Sequence, residues 1–411
     1  MLSYANWGGF FANEKRHWAT RVFCRRIFYN YYWFLCHGWR HPRLDFQPMV
    51  HHAFTRVWCI LYREKNGAIV MSKKAQLIDG LTYFKTLTGR RLLNASKIFI
   101  SYHISKITKK NYHKGQPISI SLEPTTSCNL RCPECPSGLR AFSRPIGMLE
   151  PELNKTVIDQ LHKELTYITY YFQGEPYLNK NFAEMVSYAT KHNIYTATST
   201  NAHYLTDANC KKTIESGLSR LIISIDGAKQ ESYGKYRIGG SLEKVIEGTN
   251  KMVQWKKSTG SKTPYIIWQF IVFGHNEGEI EEIQQLAKEV GVDHLALKTA
   301  QIYNFEAGSD LLPKNPKYAR YEKDGLKFKI KNGLLSHCWR MWQGCVITWD
   351  GKVVPCCFDK DATYRLGEIK KMTFRSIWQG EAYNRFRRLI LKSRNNLDIC
   401  KNCSEGTKVW S

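Results

Sequence analysis

The sequence predicts an α/β protein: a series of parallel strand and helix units followed by a small cysteine-rich α+β module. Three observations carry that prediction. Between residues 117 and 303, β-prone runs alternate six times with runs of helical period, the pattern of βαβ units. Six falls short of the eight units that close a barrel. Cysteines, of which ten of thirteen lie from Cys128 onward, gather in one close-set group after the first strand and a second near the carboxyl end.

The chain opens with a stretch that specifies no element. Residues 1–70 hold five of the twelve tryptophans among His, Arg and Tyr, and no apolar period of 2 or 3.6 persists in them. They are expected to be a basic, aromatic extension, with Met71 as the native start. From 71 to 116 the residues Leu77, Leu81, Phe84, Leu87, Leu92, Leu93, Ile98, Ile100 and Ile104 fall roughly on a face between Lys and Arg. That spacing predicts one or two basic amphipathic helices, capping the strands or, as the alternative, lying on a membrane surface.

Strands are expected at Ile118–Leu122, Tyr167–Phe172, Tyr195–Ser199, Arg220–Ile225, Tyr265–Phe273 and His294–Leu297. Helices are expected between them at Glu152–Lys163, Phe182–His192, Thr206–Ser216, Leu242–Ser258 and Glu279–Val290. Residues 304–332 are polar, proline-bearing and irregular, as a linker would be. In the last segment, 333–411, Asp350-Gly351 between two β-prone runs predicts a hairpin, and a helix is expected near Ser376–Lys392.

Lys+Arg 61 against Asp+Glu 35 gives a net charge of +26, and residues 1–115 contain 20 and 4 of these, so +16 falls in the first quarter. A basic surface attracts phosphates or anionic lipid, but a charge run is more often a solvated face, and nucleic acid is not the expected partner. No window reaches the roughly 18 uncharged apolar residues of a membrane span; Trp18 to Cys36 comes closest and is interrupted by Arg21, Arg25 and Arg26. With no secretory signal visible, grouped cysteines read as metal ligands in a reducing cytoplasm.

The first group is Cys128-Asn129-Leu130-Arg131-Cys132-Pro133-Glu134-Cys135. Three thiolates in a C-x3-C-x2-C loop can hold three corners of a four-iron cube and leave the fourth iron open. Fully ligated clusters bring four cysteines, and structural zinc wants four ligands. Beyond it, Gln173-Gly174-Glu175-Pro176 follows the second strand, Thr198-Ser199-Thr200-Asn201 ends the third and Ser224-Ile225-Asp226-Gly227 ends the fourth. Motifs at the carboxyl ends of strands are where such a sheet places its chemistry.

The triplet and these loops resemble the signature of the radical S-adenosylmethionine (radical SAM) enzymes, whose fold is a partial (β/α)6 TIM-like barrel. The resemblance implies that Cys128, Cys132 and Cys135 hold a 4Fe-4S cluster whose open iron binds S-adenosylmethionine. Gly174, Glu175 and Pro176 then match the motif that binds the methionine ammonium, with Gln173 in place of its first glycine. Ser199, Thr200 and Asn201 match contacts to the methionine carboxylate and sugar, and Ser224 and Asp226 match the nucleoside side, helix N-capping being the other role open to Asp226. Glu134 stands where the family commonly has an aromatic residue.

The later cysteines, Cys338, Cys345, Cys356, Cys357, Cys400 and Cys403, flank the expected hairpin and close the chain. They resemble the SPASM or twitch extension of the same family. Six cysteines fall short of the roughly eight that two cubes need, so one auxiliary 4Fe-4S cluster is implied, held by Cys338 or Cys345 with Cys356, Cys400 and Cys403. The implied activity is an oxidoreductase or peptide maturase: reductive cleavage of S-adenosylmethionine to a 5′-deoxyadenosyl radical that abstracts hydrogen from a peptide or small molecule. A low-potential donor of flavodoxin or ferredoxin type would supply the electron. Two rival readings are a non-catalytic iron–sulfur carrier or scaffold and a zinc-binding, nucleic-acid-associated protein.

Overall fold

The computed structural model describes residues 68–405, so the expectation for residues 1–67 lies outside the described residues. A short strand β1 (Ala68–Val70) precedes helices α1 (Lys73–Phe84) and α2 (Gly89–Thr108). The repeating part then runs β2 (Ser119–Leu122), α3 (Pro151–Leu161), β3 (Tyr167–Tyr170), α4 (Phe182–Lys191), β4 (Tyr195–Thr200) and α5 (Asp207–Glu215). It continues with β5 (Arg220–Ser224), α6 (Leu242–Ser258), β6 (Tyr265–Val272), α7 (Ile280–Val290) and β7 (His294–Thr299). Each expected strand and helix of this region is present with its ends moved by a few residues.

The six strands β2 to β7 pair in parallel and in sequence order. β-branched and aromatic residues favour the pleated conformation, and polar N-caps start the helices between: Thr206 accepts from Asn209 N and Ser241 from Lys244 N. The core lies between sheet and helices, where Ile120, Ile168, Leu221 and Trp268 meet Val157, Met185, Val245 and Ile283. This is the open, six-unit partial barrel.

Its two edges depart from expectation. β1 pairs antiparallel with β7, so residues 68–70, assigned from sequence to the unpatterned extension, add a strand. On the other edge the predicted hairpin forms as β10 (Gly344–Ile347) and β11 (Lys352–Val354), turning at Gly351 with φ +92°. Between these edges in the sequence, β8 (Tyr321–Asp324) and β9 (Lys327–Ile330) make a second hairpin inside the expected linker. Its two-residue turn is Gly325-Leu326, with Gly325 at φ +62° in the first turn position.

Strand β10 pairs in parallel with β2, Gly344 opposite Ser119 through Ile347 opposite Leu122, and β12 (Gly367–Glu368) follows β11, giving a continuous ten-stranded sheet. The expected helix near 376–392 is broken at the extended Gly380 into α8 (Phe374–Gln379) and α9 (Glu381–Ser393). Trp342, Ile347, Trp378 and Tyr383 belong to the same hydrophobic core as the barrel strands.

Helices α1 and α2 dock with the opposite face from the one their apolar period suggests. Of that set Ile98 is buried, whereas Leu77, Leu81, Leu92, Leu93, Ile100 and Ile104 are exposed. The docked side is largely polar, with Ile98 and Tyr102 as its apolar members. Asp79 meets Tyr195 and Arg220, Asn94 exchanges hydrogen bonds with Gln116, and Arg91 donates to four carbonyls, those of Thr86, Asn193, His162 and His192. Buried polar groups with every partner supplied compete successfully with an apolar contact.

Candidate active site

The cysteine triplet sits in the loop leaving the carboxyl end of β2, where the strand's last hydrogen bond is Glu123 N to Ile347 O at 2.9 Å. Leu130 N donates to Cys128 Sγ at 3.4 Å and Cys135 N to Cys132 O at 3.3 Å, which curls the loop around its own sulfurs. A Cβ on Gly138 would lie 2.5 Å from Cys132 N, so that close return of the chain needs glycine. Burial pushes the Cys128 thiol up to about 11, with Glu175, Cys135 and Cys132 adding to the shift, and raises Cys132 against the opposing charge of Arg237. Thiols held this way must give up protons to bind metal.

Glu175 lies beside the triplet, 2% exposed. Its Oε1 accepts from Thr200 Oγ1 at 2.7 Å and Tyr177 N at 3.2 Å, and its Oε2 from Asn201 N at 2.8 Å. Burial raises its pKa to about 7, and the three hydrogen bonds pull the other way. All three direct partners are neutral, and the positive charge that acts on it from further away is that of Arg237. Gly174 reaches this position at φ +74° with its N–H on Ser137 Oγ, and a Cβ there would meet Thr125 O at 2.4 Å.

Thr200 and Asn201 therefore act first on Glu175. The Asn201 side chain turns to the cysteine loop, donating to Asn129 Oδ1 at 2.8 Å and lying 3.8 Å from Cys128 Sγ. Ser199 is half-buried on β4, and Ser224 closes β5 in the interior. Asp226, expected on the nucleoside side or as a helix N-cap, is held by two partners: Oδ2 pairs with Arg237 Nε at 2.5 Å and Oδ1 accepts from Ile271 N at 2.7 Å. Lys229 is the residue at the start of the following helix, Gln230–Tyr236.

Arg237 joins this site from outside the motifs read in the sequence. It stands in the basic segment Tyr233–Gly240, whose first half is helical, and Asp226 aims it so that Nη1 comes 3.8 Å from Cys132 Sγ. A cation held there favours a thiolate. Glu134 Oε2 accepts from Tyr303 N at 2.8 Å, and Tyr303 OH accepts from Lys360 Nζ at 2.6 Å. The cysteine loop is thereby tied to the segment after β7 and to the carboxyl-terminal module.

The later cysteines divide. Cys356 shares charge interactions with Cys357, Cys338 and Cys403, Cys338 with Cys403, and Cys400 with Cys403. Arg394 Nη2 donates to Cys403 Sγ at 3.4 Å. Cys345, by contrast, lies on β10 inside the core, and the charge it feels is Arg387. Cys345 therefore differs from the others in its surroundings. β10 is buried on both faces, which encloses Cys345 among packed side chains.

Among the described residues no three His, Cys, Asp or Glu side chains converge as ligands of a single metal ion. A cube asks for something else, because each of its thiolates binds a different iron. Two groups of cysteines, one of three and one of four with Cys357 beside it, fit that donor set.

Residues 122–290 match the family profile of the radical SAM superfamily, and residues 338–404 match SPASM, an iron–sulfur cluster-binding domain. A tungsten-containing aldehyde ferredoxin oxidoreductase cofactor-modifying protein from Pyrococcus furiosus is 26% identical over 319 residues, covering 69% of this chain and 86% of that protein. An AdoMet-dependent heme synthase from Methanosarcina barkeri is 25% identical over 307 residues, 66% and 85% of the two chains. Among solved structures, native anSMEcpe with bound AdoMet superposes with a TM-score of 0.52 at 19% identity, over 71% of this chain and 91% of that one. Streptococcus suis SuiB bound to its precursor peptide SuiA gives 0.52 at 13% identity over 74% of each chain.

Proposed function

The chain belongs to the radical SAM superfamily and carries a C-terminal SPASM domain, and from that premise we propose how its residues divide the work. When bound, the 4Fe-4S cluster and S-adenosylmethionine supply reductive cleavage to a 5′-deoxyadenosyl radical and removal of hydrogen from a substrate; the domain at the carboxyl end adds an auxiliary iron–sulfur cluster. Cys128, Cys132 and Cys135 hold the first cluster. Glu175 receives the methionine ammonium, with Gly174 and Pro176 setting its approach and Thr200 and Asn201 fixing its carboxylate. Ser199 and Ser224 line the nucleoside side. Arg237, held by Asp226, keeps positive charge at Cys132. Cys338, Cys356, Cys400 and Cys403 hold the auxiliary cluster.

The observation that carries this reading is the buried Glu175 carboxylate beside the triplet with neutral hydrogen-bond partners, a place made for an ammonium. The partners we infer are a low-potential donor of flavodoxin or ferredoxin type and a peptide or small-molecule substrate. Two relatives, a heme synthase and a cofactor-modifying protein, support the small molecule. We place the enzyme in the cytoplasm, where thiols stay reduced, with the basic helices of 71–116 as the part that would touch a membrane. The test is anaerobic reconstitution, iron and sulfide counting, and 5′-deoxyadenosine after dithionite and S-adenosylmethionine. Alanine at Cys128, Cys132 or Cys135 is expected to abolish 5′-deoxyadenosine and to keep the auxiliary iron. Wild-type protein that binds iron and forms no 5′-deoxyadenosine would overturn the assignment.

A further inference from the structure

We infer that the outer faces of α1 and α2 are a docking surface for an anionic lipid bilayer. The surface is independent of the chemistry at the cysteines. A helix in a soluble protein normally turns its apolar stripe to the core. Here the stripe is outward, because Asp79, Arg91, Asn94 and Ser105 take the inner side and find hydrogen bonds there. On α1, Leu77 and Leu81 sit one turn apart, 59% and 53% exposed. On α2, Leu93, Ile100, Ile104 and Ile107 recur at intervals of seven, four and three, with Leu93 67% and Ile107 78% exposed.

Charge decides what such a face fits. From Met71 to Gly115 the sequence has ten Lys or Arg and a single acid, Asp79, which is turned inward. Lys73, Lys74 and Lys85 are exposed on or beside α1, and Lys97, Lys106 and Lys109 on or beside α2. Apolar side chains interleaved with lysines on an exposed helix match the boundary between acyl chains and anionic headgroups. Nucleic acid would use the lysines and leave the leucines and isoleucines in water. Residues 1–67 carry the same sign of charge, with ten Lys or Arg against three acids. Among the described residues no helix is long and apolar enough to cross a membrane, and the contact proposed is with a surface.

Flotation of the full-length protein with phosphatidylcholine vesicles, with and without 30% phosphatidylglycerol, tests this. Vesicles with phosphatidylglycerol are expected to carry the protein at least tenfold better, with binding weakened by 0.5 M salt. A Leu93→Glu/Ile100→Glu variant is expected to lose that binding and to keep its iron and 5′-deoxyadenosine formation. Equal flotation on neutral vesicles, no flotation on either, or flotation undiminished in the variant overturns the proposal. So does a dimer in light scattering that the same variant dissociates, which assigns the face to a second copy, or tight binding to duplex DNA without flotation.

Discussion

A single carboxylate shows how burial prepares a site. Glu175 has a folded-state pKa of about 7 against an ordinary value of 4.5, because desolvation outweighs its three hydrogen bonds. The sign follows from which state holds the proton: between those values the folded protein keeps it and the unfolded chain gives it up. Protein free of S-adenosylmethionine should therefore lose stability as pH rises from about 4.5 through 7, by on the order of 1–3 kcal/mol relative to Glu175→Gln. Denaturation midpoints of the two proteins at pH 5 and pH 7.5 check this; a difference that stays constant with pH would mean that Glu175 is ionised without strain. Affinity gives the complementary readout. Glu175→Gln should weaken S-adenosylmethionine binding by roughly ten- to a hundredfold, the scale of a hydrogen bond to a charged group.

At the scale of elements, the junction between β2 and β10 joins the two cysteine-bearing regions. Gly344 lies so close to β2 that an added Cβ would come 2.1 Å from Ser119 O. Past the strand ends, Glu123 accepts from Arg144 through both carboxylate oxygens at 2.6 and 2.7 Å, both side chains being buried, and Arg144 Nε donates to Lys360 O. Removing one partner of a buried pair leaves the other uncompensated. Glu123→Gln should cost about 3–5 kcal/mol in urea denaturation, and a loss below about 1 kcal/mol would show that Arg144 finds other partners. None of this junction was legible in the sequence. The six parallel strands and five helices were, because each announces itself within a dozen residues by period and cap. The parallel pairing of Gly344 with Ser119 is a contact across 225 positions, and no local pattern encodes it. The inverted docking of α1 and α2 was hidden for a related reason: the hydrogen bonds that hold Arg91 come from Asn193, His162 and His192, far along the chain. Likewise Asp226 looked available until the intervening helix delivered Arg237 to it.

For the whole molecule, the consequence is that both cysteine-bearing regions adjoin neighbouring strands of one sheet. β10 and β2 are neighbours, so the loop with Cys128, Cys132 and Cys135 and the group with Cys338, Cys356, Cys400 and Cys403 keep a fixed relation, reinforced by the link from Glu134 through Tyr303 to Lys360. The two groups share no cysteine, so each centre can be removed separately. Cys338→Ala should drop the iron count from about eight to about four per chain, the content of one cube, while 5′-deoxyadenosine still forms, because the triplet and Glu175 are untouched. Cys345→Ala should keep the full iron count and lower the melting temperature by a few degrees, as the loss of a small buried side chain does. Iron and sulfide analysis of the two variants decides between them. The reverse pattern, iron lost with Cys345 and kept with Cys338, would move the auxiliary cluster into the strand and contradict the burial of β10 in the common core.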